Sequence, residues 1–562
     1  MTAKGTLIIS LLLVVLGTCP AIREIWRKGY YPMHDDLQVM RQLEMDKCFK
    51  DGQIPCRWVS DMGYGYGYPL FNFYPPLPYY LGEIFVSLGI SLITTVKIIY
   101  TLGFIVAAIG MFFLGKELWG ETGGIISSLF YTYAPYHSTD IYVRGAMNEF
   151  WALAWYPFIV LGITRVIKKK TLREAIFLGF WTAMLMLSHN PMLMIFVPLA
   201  ILWTIYWLVK EKAISQIKYL IFSGIFAFSL AAFFTLPVIF EQKYAHVETL
   251  IIGYFNYLAH YTDFKELFFR MNWGYGESVY GPNDTMSFNI GYLHWIIWGF
   301  VTLLSLGLYK RQKETARIVL FLSLLTLFYA FMTHSKSTEI WKLIKPLEFL
   351  QFPWRLLTII IFGASLMAGS IVKFIPRRLC LSVVTLLCFA VVITNVGYFH
   401  WRDLWPWVND DHKLSGELWR LQTTAGIFDY LPKWAPLPPP NPPNGDSQVT
   451  EGIGTSFTQI KKSQYQKLLV EIYSPNGILQ LNTFYFPGWT YYIDGKKVNI
   501  DPKKDLDLEV GRPKFNLNNG SHVLEARFLS TPIRKIGNSL SLLSWILFLV
   551  YLGYQSLNTR YS

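Results

Sequence analysis

Apolar residues run in blocks of bilayer length along most of this chain, and the polar residues gather in the turns between them. Reading each run against its flanks predicts about twelve membrane-spanning helices. They are centred on residues 5–22, 95–114, 122–136, 150–166, 173–188, 191–209, 218–240, 289–309, 317–333, 356–373, 379–398 and 538–557. A further apolar stretch, 77–90, begins among prolines and carries Glu83, so it is expected to lie on the surface as a jutting helix rather than cross. Sidedness supports that choice. With Lys4 cytoplasmic and 77–90 not crossing, every dense basic turn falls on one side: Arg165 with Lys168, Lys169, Lys170 and Arg173; Lys210, Lys212 and Lys218; Lys310, Arg311, Lys313 and Arg317; Lys373, Arg377 and Arg378. The N-terminus is then cytoplasmic.

After Trp401 the pattern changes. A proline cluster from Pro432 to Pro443 is followed by short alternating runs such as Lys467–Ile472, Trp489–Ile493 and His522–Phe528, and Asp494-Gly495 is a hairpin signal between two of them. The expected organisation is a transmembrane domain over 1–399, an exterior linker and β-sandwich over 400–535, and a last span with a cytoplasmic tail over 536–562.

Composition agrees with the pattern. The 562 residues are 53% hydrophobic, 17% aromatic and only 15% charged, too apolar for a water-soluble protein. The net charge of +13 reflects orientation and anionic headgroups, and gives a nucleic-acid partner little support. Leu16-Gly17-Thr18-Cys19 faintly matches a lipoprotein box, but Thr18 and Pro20 disfavour cleavage. Of the five cysteines, Cys48 and Cys56 share the first outer loop and either pair or stay as free thiols; the residues leave both open.

The candidate chemistry lies in the outer loops. His34-Asp35-Asp36 follows the first span and opens an aromatic loop running through Tyr64-Gly65-Tyr66-Gly67-Tyr68-Pro69 to Phe73-Tyr74-Pro75-Pro76. Aromatic rings on such a loop suit the apolar faces of sugars. The short loop 137–149 brings His137, Asp140, Arg144, Asn148 and Glu149 to the same level. On a continuous helix the spacing of Arg144 and Glu149 does not place them on one face, so a shared site explains them better than a local ion pair. Ser188-His189-Asn190-Pro191 forms a tight turn, and Arg355 in Gln351-Phe352-Pro353-Trp354-Arg355 offers a forked donor to phosphate. The Gly-Tyr repeat has neither the Thr-Val nor the pore helix of a potassium filter, and no His pattern supports a zinc hydrolase.

Taken in order, His34-Asp35, Pro55-Cys56-Arg57-Trp58, Asp61 with Gly65–Pro69, Phe73–Pro76, Arg144-Gly145 to Glu149, Ser188–Asn190 and Gln351–Arg355 resemble bacterial integral membrane proteins carrying the 6-pyruvoyl-tetrahydropterin-synthase-related domain. These are similar to the GT-C superfamily of glycosyltransferases that use lipid-phosphate sugars. The histidines of a pterin-forming zinc site are not recognisable, so pterin synthesis is not expected.

The resemblance implies a polytopic α-helical, GT-C-like membrane protein of the bacterial plasma membrane with an exterior β-domain. It implies transfer of a sugar from a polyprenyl-phosphate donor to an exterior acceptor (a surface polymer, lipid or protein), with inversion. Asp35 is the expected base, with Asp36 and Glu149 the other catalytic candidates. Substrate contacts fall to Arg57, Tyr66, Tyr74, Asp140, Arg144, His189 and Arg355. The first loop has no D-x-D, which leaves a divalent cation (Mg or Mn) open, with Asp36, Asp140 and Glu149 as its candidate ligands. Asp35 and Glu149 are expected to face a common exterior cavity. The rival classes are a transporter or flippase of lipid-linked sugars, which places ionisable groups near mid-bilayer, and a noncatalytic membrane scaffold.

Overall fold

The computed structural model describes residues 3–279, 281 and 284–561. All twelve apolar runs are helical, but they are not all full spans. Among the described residues nine helices are long and apolar enough to cross a membrane: Gly5–Trp26, Leu92–Trp119, Met147–Lys169, Asn190–Lys210, Ile214–Tyr244, Lys313–Met332, Pro353–Lys373, Arg377–Tyr398 and Pro532–Leu557. The other three are shorter: Glu121–Thr132 with 12 residues, Leu172–Met186 with 15 and Tyr292–Gly307 with 16. At about 1.5 Å per residue none of these reaches the ~30 Å of a hydrocarbon core. Local stop signals account for two of them. Pro135 follows the first closely, and Thr171 caps the second while the Ser188–Pro191 turn ends it.

The stretch expected to jut forms an 11-residue helix, Leu77–Ser87, about half the length of a span. It packs on Gln38–Asp51: Tyr79 donates to Gln38 Oε1 at 2.6 Å and Gln42 donates to the Tyr79 carbonyl at 3.2 Å. Gly82 permits the approach, since a Cβ there would lie 2.1 Å from Gln42 Oε1.

Two compact units divide the chain. One gathers Met1–Asp36, Ile93–Ala227 and Leu250–Asn409, the other Leu37–Leu92, Phe228–Thr249 and Asp410–Ser562. Most of the first outer loop thus belongs with the C-terminal β-domain, a grouping that sequence order alone does not suggest.

In the second unit the strands are β1 (Ser447–Glu451), β2 (Gly454–Lys462), β3 (Tyr465–Leu481), β4 (Trp489–Ile493), β5 (Lys496–Val498) and β6 (Lys514–Phe528). The sandwich expected there is realised as one antiparallel sheet of order β1-β3-β6-β4-β5, with β2 also on β3. Leu468, Val470 and Ile472 of β3 point into the core, where Trp58, Tyr66 and Phe73 of the outer loop pack with Phe484 and Phe486. Loop aromatics cover the apolar face that a second sheet was expected to cover. Asp494 (φ 50°) and Gly495 (φ 77°) turn the β4–β5 hairpin, both in the left-handed region that such a turn requires. Cys48 and Cys56 are joined as a disulfide.

Candidate functional site

The site in the first unit begins with a broken helix. Pro135–Ser138 starts one turn, Thr139–Arg144 continues it as a π-helix, and Gly145 at φ 66° ends it before Met147–Lys169 begins. Arg144 is therefore the last residue of one helix and Glu149 lies in the first turn of the next. Arg144 Nη1 reaches back to Asp140 Oδ1 at 2.6 Å, and Nη2 meets Glu149 Oε2 at 2.9 Å. A direct local ion pair thus exists where the spacing of a continuous helix argued against one, because the chain turns at Gly145. A side chain at this glycine would also collide: its Cβ would lie 2.8 Å from Met33 Cβ and 3.2 Å from the Asp35 carbonyl. The His34-Asp35 segment runs alongside, with His34 N donating to the Val143 carbonyl at 2.9 Å and Asp35 N to the Arg144 carbonyl at 2.8 Å.

Arg355 comes from the turn Pro353–Leu356 and shares the same carboxylate oxygen, its Nε lying 3.2 Å from Glu149 Oε2. Its Nη1 donates to the Leu350 carbonyl at 2.8 Å and to Gln351 Oε1 at 2.9 Å. Gln351, at φ 64°, is held in this strained conformation by Arg355 on one side and by its own amide's bond to the Leu250 carbonyl on the other. The other oxygen of Glu149 accepts from Tyr136 at 2.6 Å, and Tyr136 accepts from Arg144 at 3.2 Å. Arg144 lies over Trp354 and Arg355 over Phe352. Glu149 thus holds two guanidinium groups side by side in a largely dry setting, with Arg144 and Arg355 side chains about one-tenth exposed.

Protonation sets the charge of this cluster. Burial, followed by the neighbouring Glu149, raises Asp140 well above the usual carboxylate range, and its Oδ2 is buried without a hydrogen-bond partner. His189 is pushed down to about 3 by burial and then by Arg355, so its ring is neutral. The ring caps the helix Asn190–Lys210, Nδ1 accepting from Met192 N at 3.3 Å. With Asp140 held toward its neutral form, Glu149 is the main negative charge facing the two arginines.

The other expected residues are placed as follows. Asp35 and Asp36 are half-exposed in the first unit, and Tyr30 donates to Asp36 Oδ1. Asp35 and Glu149 are connected through Arg144, by main chain to one and side chain to the other. Arg57, Tyr66 and Tyr74 belong to the second unit. Arg57 donates to the Phe233 carbonyl at 2.8 Å, Asn538 Oδ1 at 2.7 Å and Asn72 Oδ1 at 3.3 Å. Asn72 in turn donates to Glu241, which pairs with Arg534 at 2.8 Å. Tyr66 packs on Phe484, and the Tyr74 hydroxyl accepts from Arg41 at 2.9 Å beneath its guanidinium.

Sequence reasoning missed Tyr136, since no spacing rule marks a tyrosine as the bridge between a carboxylate and a guanidinium. It also missed the Glu241–Arg534 pair, whose members lie 293 residues apart in the chain. Among the described residues no group of three or more His, Cys, Asp or Glu side chains is arranged to hold a metal ion. Of the candidate ligands, Asp140 and Glu149 face Arg144 and Asp36 faces Tyr30, so these carboxylates do not fit a shared cation.

No family model matches this chain. It is similar to an uncharacterized protein of Lactococcus lactis subsp. cremoris, 23% identical over 336 residues, which is 58% of this chain and 53% of that one. Among solved structures it is similar to the Archaeoglobus fulgidus oligosaccharyltransferase in the apo form (11% identity, 69% of this chain and 55% of that one, TM-score 0.39). It is also similar to the arabinofuranosyltransferase AftD from Mycobacteria (12%, 73% and 28%, TM-score 0.42). A third is ArnT from Cupriavidus metallidurans bound to undecaprenyl phosphate (11%, 70% and 64%, TM-score 0.39). The chain spans about half the length of the curated relative and less than two thirds of each of these structures. The functional reading rests on the residues of the site.

Proposed function

We propose that this protein is a membrane glycosyltransferase that moves a sugar from a polyprenyl-phosphate donor to an acceptor hydroxyl at the outer face of a bacterial plasma membrane. The observation that carries the proposal is the pair of arginines on Glu149 Oε2, with Asp35 bonded through its main chain to Arg144. A lipid-linked phosphate leaves as an anion and needs positive charge rather than a proton. Arg144 and Arg355 supply that charge, and in a dry site it acts more strongly than in water. Asp35 takes the acceptor's hydroxyl proton as that oxygen bonds to the anomeric carbon. The bond from carbon to phosphate oxygen breaks on the opposite face, and the centre inverts. A base so placed typically contributes about 10²- to 10⁴-fold.

Glu149 has a different role in this reading from the one expected of it. Both of its oxygens are engaged by cations and a phenol, which suits a positioning residue rather than a base. The ordered motifs that resemble the 6-pyruvoyl-tetrahydropterin-synthase-related membrane proteins support the same reaction class. The transporter reading is less well supported: Lys97, near the start of its helix, is tied to the carbonyls of Arg27 and Gly29 at 2.7 Å each.

The test uses purified protein and a panel of polyprenyl-phosphate sugars, reading release of polyprenyl phosphate and, separately, binding of undecaprenyl phosphate. Asp35→Asn is expected to abolish release and keep binding, whereas Arg355→Ala weakens binding. Full turnover by Asp35→Asn would move the base to Asp36. Full turnover by variants at Asp35, Asp36 and Glu149 alike would return the protein to the transporter or scaffold class.

A further inference from the structure

At the end of the first unit where the basic turns gather, most cations have partners. Arg165 and Lys168 lie 3.3 and 3.8 Å from Glu117, Lys116 lies 3.5 Å from Glu121, and Lys169 pairs with Glu174 at 3.0 Å. Lys373, Arg377 and Arg378 differ, making no ion pair among the described residues. Two of them, Lys373 and Arg377, line a cavity of about 400 Å³ whose other walls are Trp119, Thr122, Val372, Cys380 and Leu381.

The walls are fixed by close packing. Trp119 donates from its indole to the Leu366 carbonyl at 2.8 Å. The segment Gly369–Lys373 approaches Glu121–Thr132 so closely that a Cβ on Gly369 would lie 2.3 Å from the Gly123 carbonyl. The floor of the cavity is thus set by helix packing, with Lys373 and Arg377 exposed at its mouth. The acids nearest Trp119 and Thr122 in sequence have other partners. Glu117 holds Arg165 and Lys168, and Glu121 accepts from Ser10 at 2.9 Å and faces Lys116.

We infer that this cavity binds the phosphodiester headgroup of an anionic glycerophospholipid, the phosphate lying between Lys373 and Arg377 and the start of an acyl chain against Val372 and Leu381. The argument is one of complementary chemistry. Two unpaired cations flank a space with an aromatic wall, and its apolar rim includes Leu381, which is 75% exposed. Farther along Arg377–Tyr398, Leu386, Phe389 and Ile393 are exposed, as on a helix that faces lipid. A soluble anion would find the charges but leave the apolar rim uncovered. A zwitterionic lipid would bring its own cation to a site that already has two. Basic clefts between helix ends on the positively charged side are where anionic headgroups gain most.

Each cation near a headgroup is worth about fivefold in affinity, so the two together give roughly thirtyfold. The experiment is native mass spectrometry of the purified full chain in detergent, titrated with phosphatidylglycerol, phosphatidylcholine or inorganic phosphate. The first phosphatidylglycerol adduct is expected at about thirtyfold lower concentration than the phosphatidylcholine adduct. Lys373→Ala with Arg377→Ala should remove that preference, and the charge-retaining exchange Lys373→Arg with Arg377→Lys should keep it. Lys310→Ala with Arg311→Ala, at the same end but outside the cavity, should leave it within about twofold. If the double alanine variant does not fold, Arg377→Gln alone decides, with an expected loss of about fivefold. The proposal is overturned by equal binding of the two lipids, by a preference that survives loss of both cations, or by an equal loss in the Lys310/Arg311 variant. Displacement of phosphatidylglycerol by millimolar inorganic phosphate would overturn it in favour of a soluble anion site.

Discussion

Replacing Glu149 by Gln keeps the side chain's shape and removes one charge, which makes it the sharpest probe of the arginine pair. Before the change, Oε2 serves Arg144 at 2.9 Å and Arg355 at 3.2 Å, while Oε1 accepts from Tyr136 at 2.6 Å. Afterwards Arg144 retains Asp140, but Arg355 keeps only the neutral Leu350 carbonyl and the Gln351 amide. The new amide also turns an NH₂ toward groups that already donate. Removing one partner of a buried pair costs about 3–5 kcal/mol. The surviving neutral bonds to Arg355 place the expected loss near about 3 kcal/mol. The assay is chemical unfolding in mixed micelles of wild type, Glu149→Gln, Arg355→Gln and the double variant. Since the two groups touch, the double variant should lose less than the sum of the singles by about 2 kcal/mol or more. Additivity within about 0.5 kcal/mol would refute the clamp. Binding provides the second readout: a positioning Glu149 loses undecaprenyl-phosphate affinity on substitution, whereas a Glu149 acting only as a base would lose turnover and keep binding.

Other consequences can be measured on the same protein. Asp140 holds its proton in the folded state above the range where an unfolded aspartate has lost it, so its contribution to stability is full at low pH and declines as pH rises. Asp140→Asn should flatten that decline in a series of melting temperatures and leave the melting temperature at low pH close to wild type. Glu266 is pushed up to about 8, by burial first and then by Asp284, so stability should fall between the ordinary glutamate range and about pH 8; Glu266→Gln should melt higher than wild type at pH 8 and close to it at pH 5. Gly145→Ala combines a left-handed backbone with a Cβ 2.8 Å from Met33 Cβ, and it should lower unfolding stability by about 2 kcal/mol or more and displace Asp35, read as lost turnover.

The helices were legible because a bilayer demands long apolar runs, and each of the twelve runs is helical. Their lengths were less legible, since hydropathy counts apolar residues without seeing where Pro135 or the Ser188–Pro191 turn ends the helix. The hairpin at Asp494-Gly495 was readable from local chemistry alone. The cover of the β-sheet was not: alternation in β3 reveals one buried face but not that Trp58, Tyr66 and Phe73, some four hundred residues earlier, lie against it. At the site, Arg144, Glu149 and Arg355 stood out as charges beside apolar runs. The bond between Arg144 and Glu149 was argued away on helical spacing because one glycine's positive φ, which that argument omits, turns the chain between them.

On the proposed reading, the charge state of the cluster also selects its ligand. With Asp140 held toward its acid form and His189 neutral, Arg144 and Arg355 set two positive charges against the negative charge of Glu149. A polyprenyl-phosphate sugar is a phosphodiester with one negative charge, so its entry brings the buried cluster to neutrality without a proton being taken up or lost. Sugar transfer leaves a phosphate monoester, which carries up to a second negative charge that the two arginines have not yet met. That imbalance has a place to resolve: either the product keeps a proton, or it is held less comfortably beside Glu149 and leaves. An ionised Asp140 would cancel the cluster's positive charge and remove its attraction for the donor. Holding Asp140 toward its acid form thus favours two arginines and one glutamate as a receptor for a singly charged lipid phosphate.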